Sequence, residues 1–156
     1  MFAIPLHRRA FSLIELVIVV VIIGIIGAIA IPRMSRGAAG AADTALIGNM
    51  AVLRNAIDLY QTEHGGDYPK VATFVAQMST YTDDAGGAVA VKDATHIYGP
   101  YLRVVPPLPV STNKGNTTVA ASAAAGVAWI YNETTGVITP NTGTDKDARG
   151  VLYSSY

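Results

Sequence analysis

Glu15 is the one charged side chain between Arg9 and Arg33, and its neighbours are almost entirely aliphatic. A carboxylate at the centre of a membrane helix costs about 2.5–3.5 kcal/mol on insertion scales. Near an end the cost falls, because the side chain reaches the interface. A plain anchor therefore tolerates Glu15 but has no use for it, whereas a cation brought close would give the charge a purpose. Two other groups could do chemistry. Glu63, His64 and Asp67 are near neighbours in the chain, but residues crowded at a fraying helix end rarely converge on a metal or a substrate. Asp145 and Asp147, with Asn141 nearby, alternate as calcium's oxygen ligands do; a solvated loop is the alternative.

No glycine-rich phosphate loop, zinc spacing, nucleophile elbow or convergent acid–base pair occurs, and His7, His64 and His96 are scattered. The sequence thus points away from enzymatic activity. Eleven Lys and Arg balance eleven Asp and Glu, which gives no argument for a nucleic-acid partner. With no cysteine there is neither a disulfide nor a thiolate metal site.

The elements that must position these groups begin with residues 11–31, FSLIELVIVVVIIGIIGAIAI. As a helix this stretch rises about 30 Å, the thickness of a bilayer core. It has no polar face, so a membrane helix fits better than a core helix. A secretory signal peptide is the competing reading: Arg8 and Arg9 supply a basic start and Ala39-Gly40-Ala41 a cleavage site, but the run exceeds a typical apolar region of about 7–15 residues. Beyond it, Pro32 lacks a backbone donor and predicts a kink near 32–40. Gly24, Gly27, Gly37 and Gly40 allow close helix packing; a flexible linker is the alternative there. Leu46, Met50, Leu53, Ile57 and Tyr60 then form one apolar stripe, and the helix should stop near His64-Gly65-Gly66, before Pro69.

Arg8-Arg9-Ala10, then Phe11-Ser12-Leu13-Ile14-Glu15, a long aliphatic run and Pro32 together resemble the prepilin signature of type IV pilins and type II secretion pseudopilins. The resemblance implies that a prepilin peptidase removes a leader, residues 1–10, by cutting between Ala10 and Phe11, and methylates the new amine of Phe11. The family usually has Gly where this chain has Ala10. The cut would place an ammonium four positions from Glu15, within reach of one helical turn. In the family the preferred partner is a neighbouring subunit's amine, so Glu15 becomes the subunit-assembly residue. Also implied are a single-pass protein of the bacterial inner membrane with its head in the periplasm, and contact with lipid. Its partners would be further copies in a helical filament, an inner-membrane assembly platform and minor pilins. The flanking arginines leave orientation undecided by charge alone.

NAIDLYQTEHGGDYP (55–69) and YGPYLRVVPPLPV (98–110) also look like the family, and they point to its major, G-type pseudopilins. That branch commonly binds calcium in a C-terminal acidic loop, which makes Asp145 and Asp147 the candidate ligands; no other cofactor is implied. In the head, residues 64–156, the spacing of Val71, Phe74, Val75 and Met78 predicts a short helix from Pro69 to Met78, and Asp83–Gly87 reads as a loop. Gly126–Asn132 and Val137–Thr139 form a hairpin around Glu133–Gly136. Trp129 should anchor the sheet on the long helix, with carbohydrate stacking as the alternative. Pro106 and Pro109 have the spacing of a PxxP ligand, but in an embedded segment. The expected architecture is α+β: a long N-terminal helix, 11–63, membrane-spanning in its first half, packed against a small antiparallel sheet, as in pilins. The function expected is a structural subunit of a secretion pseudopilus. A type IV pilin for adhesion, motility or DNA uptake is the near alternative, and a membrane-anchored binding domain that never polymerises is the distant one.

Overall fold

Residues 11–156 are described by the computed structural model; the expected leader, residues 1–10 with Ala10 at its end, lies outside them. Helix α1 runs Leu13–Glu63 and includes the backbone of Pro32, Gly37 and Gly40 as helix. Residues 32–40 are therefore helical in backbone. The chain divides into two compact units, with the boundary between Ala38 and Ala39.

In the first unit, Leu13–Ile31 has a mean hydropathy of 3.1 and buries nothing within the protein. It is the one described helix long and apolar enough to cross a membrane. Aliphatic side chains face outward all round it, from Leu13 and Ile14 to Ile29 and Ile31. Such a surface needs lipid or other apolar helices as its surroundings.

The second unit begins on the same helix, where polar residues interrupt the apolar run and an amphipathic period takes over. Leu46, Met50, Leu53, Ile57 and Tyr60 are buried as the stripe requires, joined by Ala56. The helix ends by geometry that its glycines permit. Gly65 has φ +64°, and the Gly66 N–H donates to Gln61 O at 2.9 Å, the six-to-one bond of a Schellman cap.

The expected short helix is two pieces: a 3-10 turn at Val71–Thr73, then α2 at Phe74–Ser79. Phe74 and Met78 enter the core, but Val75 faces solvent and Gln77 is buried instead. Gln77 can be buried because its amide is used at both ends. Its Oε1 accepts from Lys70 N–H at 2.7 Å, and its Nε2 donates to Gly86 O at 2.9 Å.

Two small sheets follow. Strands β1, Tyr81–Thr82, and β2, Ala88–Val89, pair antiparallel around the Asp83–Gly87 loop. Asp83 shapes that loop by accepting Gly87 N–H at 2.7 Å and Ala85 N–H at 3.1 Å. Strands β3, Thr118–Ala120, β4, Val127–Tyr131, and β5, Ile138–Pro140, form a sheet in that order. β4 and β5 make the expected hairpin, but β3 runs parallel to β4, so the sheet is mixed. Parallel neighbours usually need a crossover of a dozen or more residues. Here β3 rises only about 10 Å, and the bends and turn of residues 121–126 carry the chain back over that distance.

Trp129 is fully buried in the cluster that includes the α1 stripe, with Nε1 donating to Pro106 O at 2.9 Å. It has no open face for a carbohydrate. Pro106–Val110 is likewise committed to the fold: Leu108 is fully buried and Pro107 O accepts from Asn49 Nδ2 at 2.9 Å. The architecture is α+β and consistent with a pilin-like fold.

Candidate assembly site and acidic loop

The start of α1 gives Glu15 a local partner that the aliphatic pattern conceals. Ser12 occupies the N-cap position, its Oγ accepting Ile14 N–H at 3.3 Å. Glu15 turns back, and its Oε2 accepts Ser12 N–H at 2.9 Å. The first helical bond, Leu16 N–H to Ser12 O, closes at 3.2 Å. This reciprocal pair is a capping box. Its signature, Ser-x-x-Glu ahead of an apolar run, is legible in the sequence, and Ser12 is the residue the sequence reading missed.

The box sets what Glu15 can do. A helix N-terminus carries partial positive charge and orphan N–H groups, so a carboxylate there is stabilised without a counterion. One of its oxygens is used in that way. The group remains a full acceptor at the exposed end of an apolar helix, with Phe11 exposed beside it. An incoming ammonium would add a charge-assisted bond to it.

The Glu63–His64–Asp67 group does not converge. His64 is buried, stacked on Tyr60 with centroids 3.8 Å apart. Its Nδ1 lies 2.9 Å from Tyr60 O and its Nε2 3.1 Å from Thr82 Oγ1. A carbonyl only accepts, so Nδ1 donates and Nε2 takes the threonine hydroxyl. Glu63 points elsewhere, accepting from Tyr101 OH at 2.6 Å. Burial, followed by that bond, pushes the Tyr101 phenol well above its ordinary range.

Asp145 and Asp147 also part company. Asp145 is exposed, whereas the Asp147 carboxylate is buried and fully used. Its Oδ1 accepts the N–H groups of Arg149 and Val151, each at 2.8 Å. Its Oδ2 accepts Arg149 Nε at 2.8 Å and Tyr156 OH at 2.5 Å. The Tyr156 hydroxyl, the Val151 N–H and Arg149 hold Asp147 below the usual carboxylate range, against burial. A carboxylate has about four lone-pair sites, and all are taken by donors. The Asp147 carboxylate thus has no lone pair open to a calcium ion. Among the described residues no group of three or more His, Cys, Asp and Glu side chains is placed to hold a metal.

Residues 6–31 match the family model described as the prokaryotic N-terminal methylation motif. No curated protein and no solved structure matches the chain. The chain thus carries a prepilin-type N-terminus, the cleavage and methylation signal of type IV pilins and pseudopilins. Together with the apolar N-terminal helix, this match supports a type IV pilin-like protein. The matched segment includes Arg8, Arg9, Ala10, Phe11, Ser12 and Glu15.

Proposed function

We propose that this chain is a structural subunit of a type II secretion pseudopilus. The observation that carries the reading is a lone carboxylate, held in a first-turn capping box, at the head of an apolar helix that matches the methylation motif. In this reading the chain inserts in the inner membrane with its head in the periplasm. Prepilin peptidase cuts before Phe11 and methylates its amine. Each copy then leaves the bilayer to stack in a helical filament, on an assembly platform and with minor pilins, and filament growth drives export. Lipid already shields the aliphatic surface, so transfer into a filament gains little from burial alone; packing and charge pairing decide it. Glu15 supplies the charge, meeting the ammonium of an adjoining copy in low dielectric, where pairing is strong. Pro32 leaves the carbonyl four residues earlier without its helical donor, which suits local extension of the shaft.

The pseudopilus is favoured over an adhesive pilus by the segments 55–69 and 98–110 and by the absence of cysteine. Mass spectrometry of the mature N-terminus tests the processing step. A methylated Phe11 is expected; a start near Ala42 would mean ordinary signal-peptide removal and end the proposal. Deletion of the gene should then block export of folded proteins while surface adhesion and twitching persist. The reverse result assigns the chain to a type IV pilus.

A further inference from the structure

We propose that the 145–156 segment is closed by a cation of the chain's own, the Arg149 guanidinium, and keeps its fold without a metal ion. This goes beyond the filament reading and does not depend on it. The Arg149 fork spans two partners: Nε donates to Asp147 Oδ2, and a terminal nitrogen donates to Tyr156 OH at 2.7 Å. The Tyr156 hydroxyl in turn donates to the same Asp147 oxygen. Acid, guanidinium and phenol form a closed triangle in which the positive charge sits where a bound cation would otherwise neutralise the acid.

The backbone closes around that triangle. Asp147 N–H donates to Val151 O at 2.8 Å, Gly150 N–H to Asp147 O at 3.0 Å, and Lys146 bridges Leu152. Asp145 enters through its main chain, which accepts Tyr153 N–H at 3.1 Å. The closed loop is then tied to α1 at two places. Asp43 accepts Ala148 N–H at 3.2 Å and Tyr153 OH at 2.5 Å, and Arg54 donates to Tyr156 O at 2.5 Å. Exposed ion pairs count for little, but the acid of this pair is buried while its base reaches solvent. Removing the base leaves a buried charge short of a donor, and that is the costly case.

The test uses the full chain in detergent micelles, with thermal unfolding and amide hydrogen exchange as readouts. In the wild type, neither EDTA nor millimolar calcium should move the Tm or the protection of the Val151 amide. Arg149→Met should lower the Tm and speed Val151 exchange about tenfold, the size of one lost charge-assisted bond, and calcium should not restore it. Arg149→Lys keeps the charge and loses the fork, so it should fall between the two. If Arg149→Met fails to fold, Tyr156→Phe, which removes one hydroxyl, decides by the same exchange measurement. Loss of wild-type protection on chelation, or unchanged protection in the variant measured, overturns the proposal.

Discussion

The phenol of Tyr153 donates a 2.5 Å hydrogen bond to Oδ1 of Asp43, joining positions 110 residues apart in the chain. Asp43 lies in α1 within the second compact unit, so this bond ties the last turn of the chain to the helix that opens that unit. Tyr153→Phe keeps the ring in the core and leaves Asp43 with the weaker Ala148 N–H contact. We expect a loss of about 1.5 kcal/mol, typical of a hydrogen bond to a charged group. Urea denaturation of the two chains measures it, and a difference within error would mean the bond contributes nothing net.

The same bond predicts behaviour in alkali. Burial first, then the Asp43 contact, pushes the Tyr153 phenol up to about 12. The folded pKa exceeds the unfolded value of about 10, so the neutral form favours the folded state. The stabilisation is complete below pH 10 and disappears as pH rises through about 12. The stability gap between wild type and Tyr153→Phe should be flat from neutral pH to about 10 and then close.

Asp147 gives the opposite sign in acid. Its folded pKa lies below the unfolded value, so its contribution is present in full above the usual carboxylate range. It fades as pH falls from there toward the folded pKa. Asp147→Asn should therefore be less stable than wild type at neutral pH, with the gap narrowing below about pH 4. A gap that widened in acid would contradict the hydrogen-bond arrangement.

At the start of α1, two substitutions should separate capping from assembly. Ser12→Ala removes the Oγ acceptor and costs about 1 kcal/mol of local helix stability. Filaments should still form. Glu15→Ala should insert in the membrane normally and yield no filament and no export, scored by fractionation and electron microscopy. Normal filaments from Glu15→Ala would remove the charge from the account of assembly.

Gly136 offers a check on the hairpin. It has φ +71°, and a Cβ there would collide with the Tyr68 ring. Gly136→Ala combines a left-handed backbone penalty with a steric clash, and should destabilise by about 2 kcal/mol or more. Thr134→Ala in the same turn should fall within about 0.5 kcal/mol.

Long-period patterns were legible in the sequence. The apolar run and the Leu46-to-Tyr60 stripe each repeat a simple rule over many residues, and Gly65-Gly66 marks the helix end by a conformation other residues resist. The β4–β5 hairpin was visible from its turn. What escaped were features set by partners distant in the chain. Val75 and Gln77 exchange places because Gln77 finds two backbone groups, on Lys70 and Gly86, that no local spacing reveals. β3 lies parallel to β4 because short strands relax the usual crossover length. Asp147 reads as a ligand until Arg149 and Tyr156 are seen to occupy it. Ser12 was legible but overshadowed by the hydropathy around it.

Trp129 is the chain's only indole, sealed in the second unit with its N–H on Pro106. The membrane-length segment contains none. Ultraviolet emission excited at the indole band consequently comes from one known place, and its wavelength reports water entry between the 98–110 strap and the sheet. Lipid and detergent leave that signal unclouded by any fluorophore of the same kind, so folding of this unit can be followed by light in membranes as readily as in micelles.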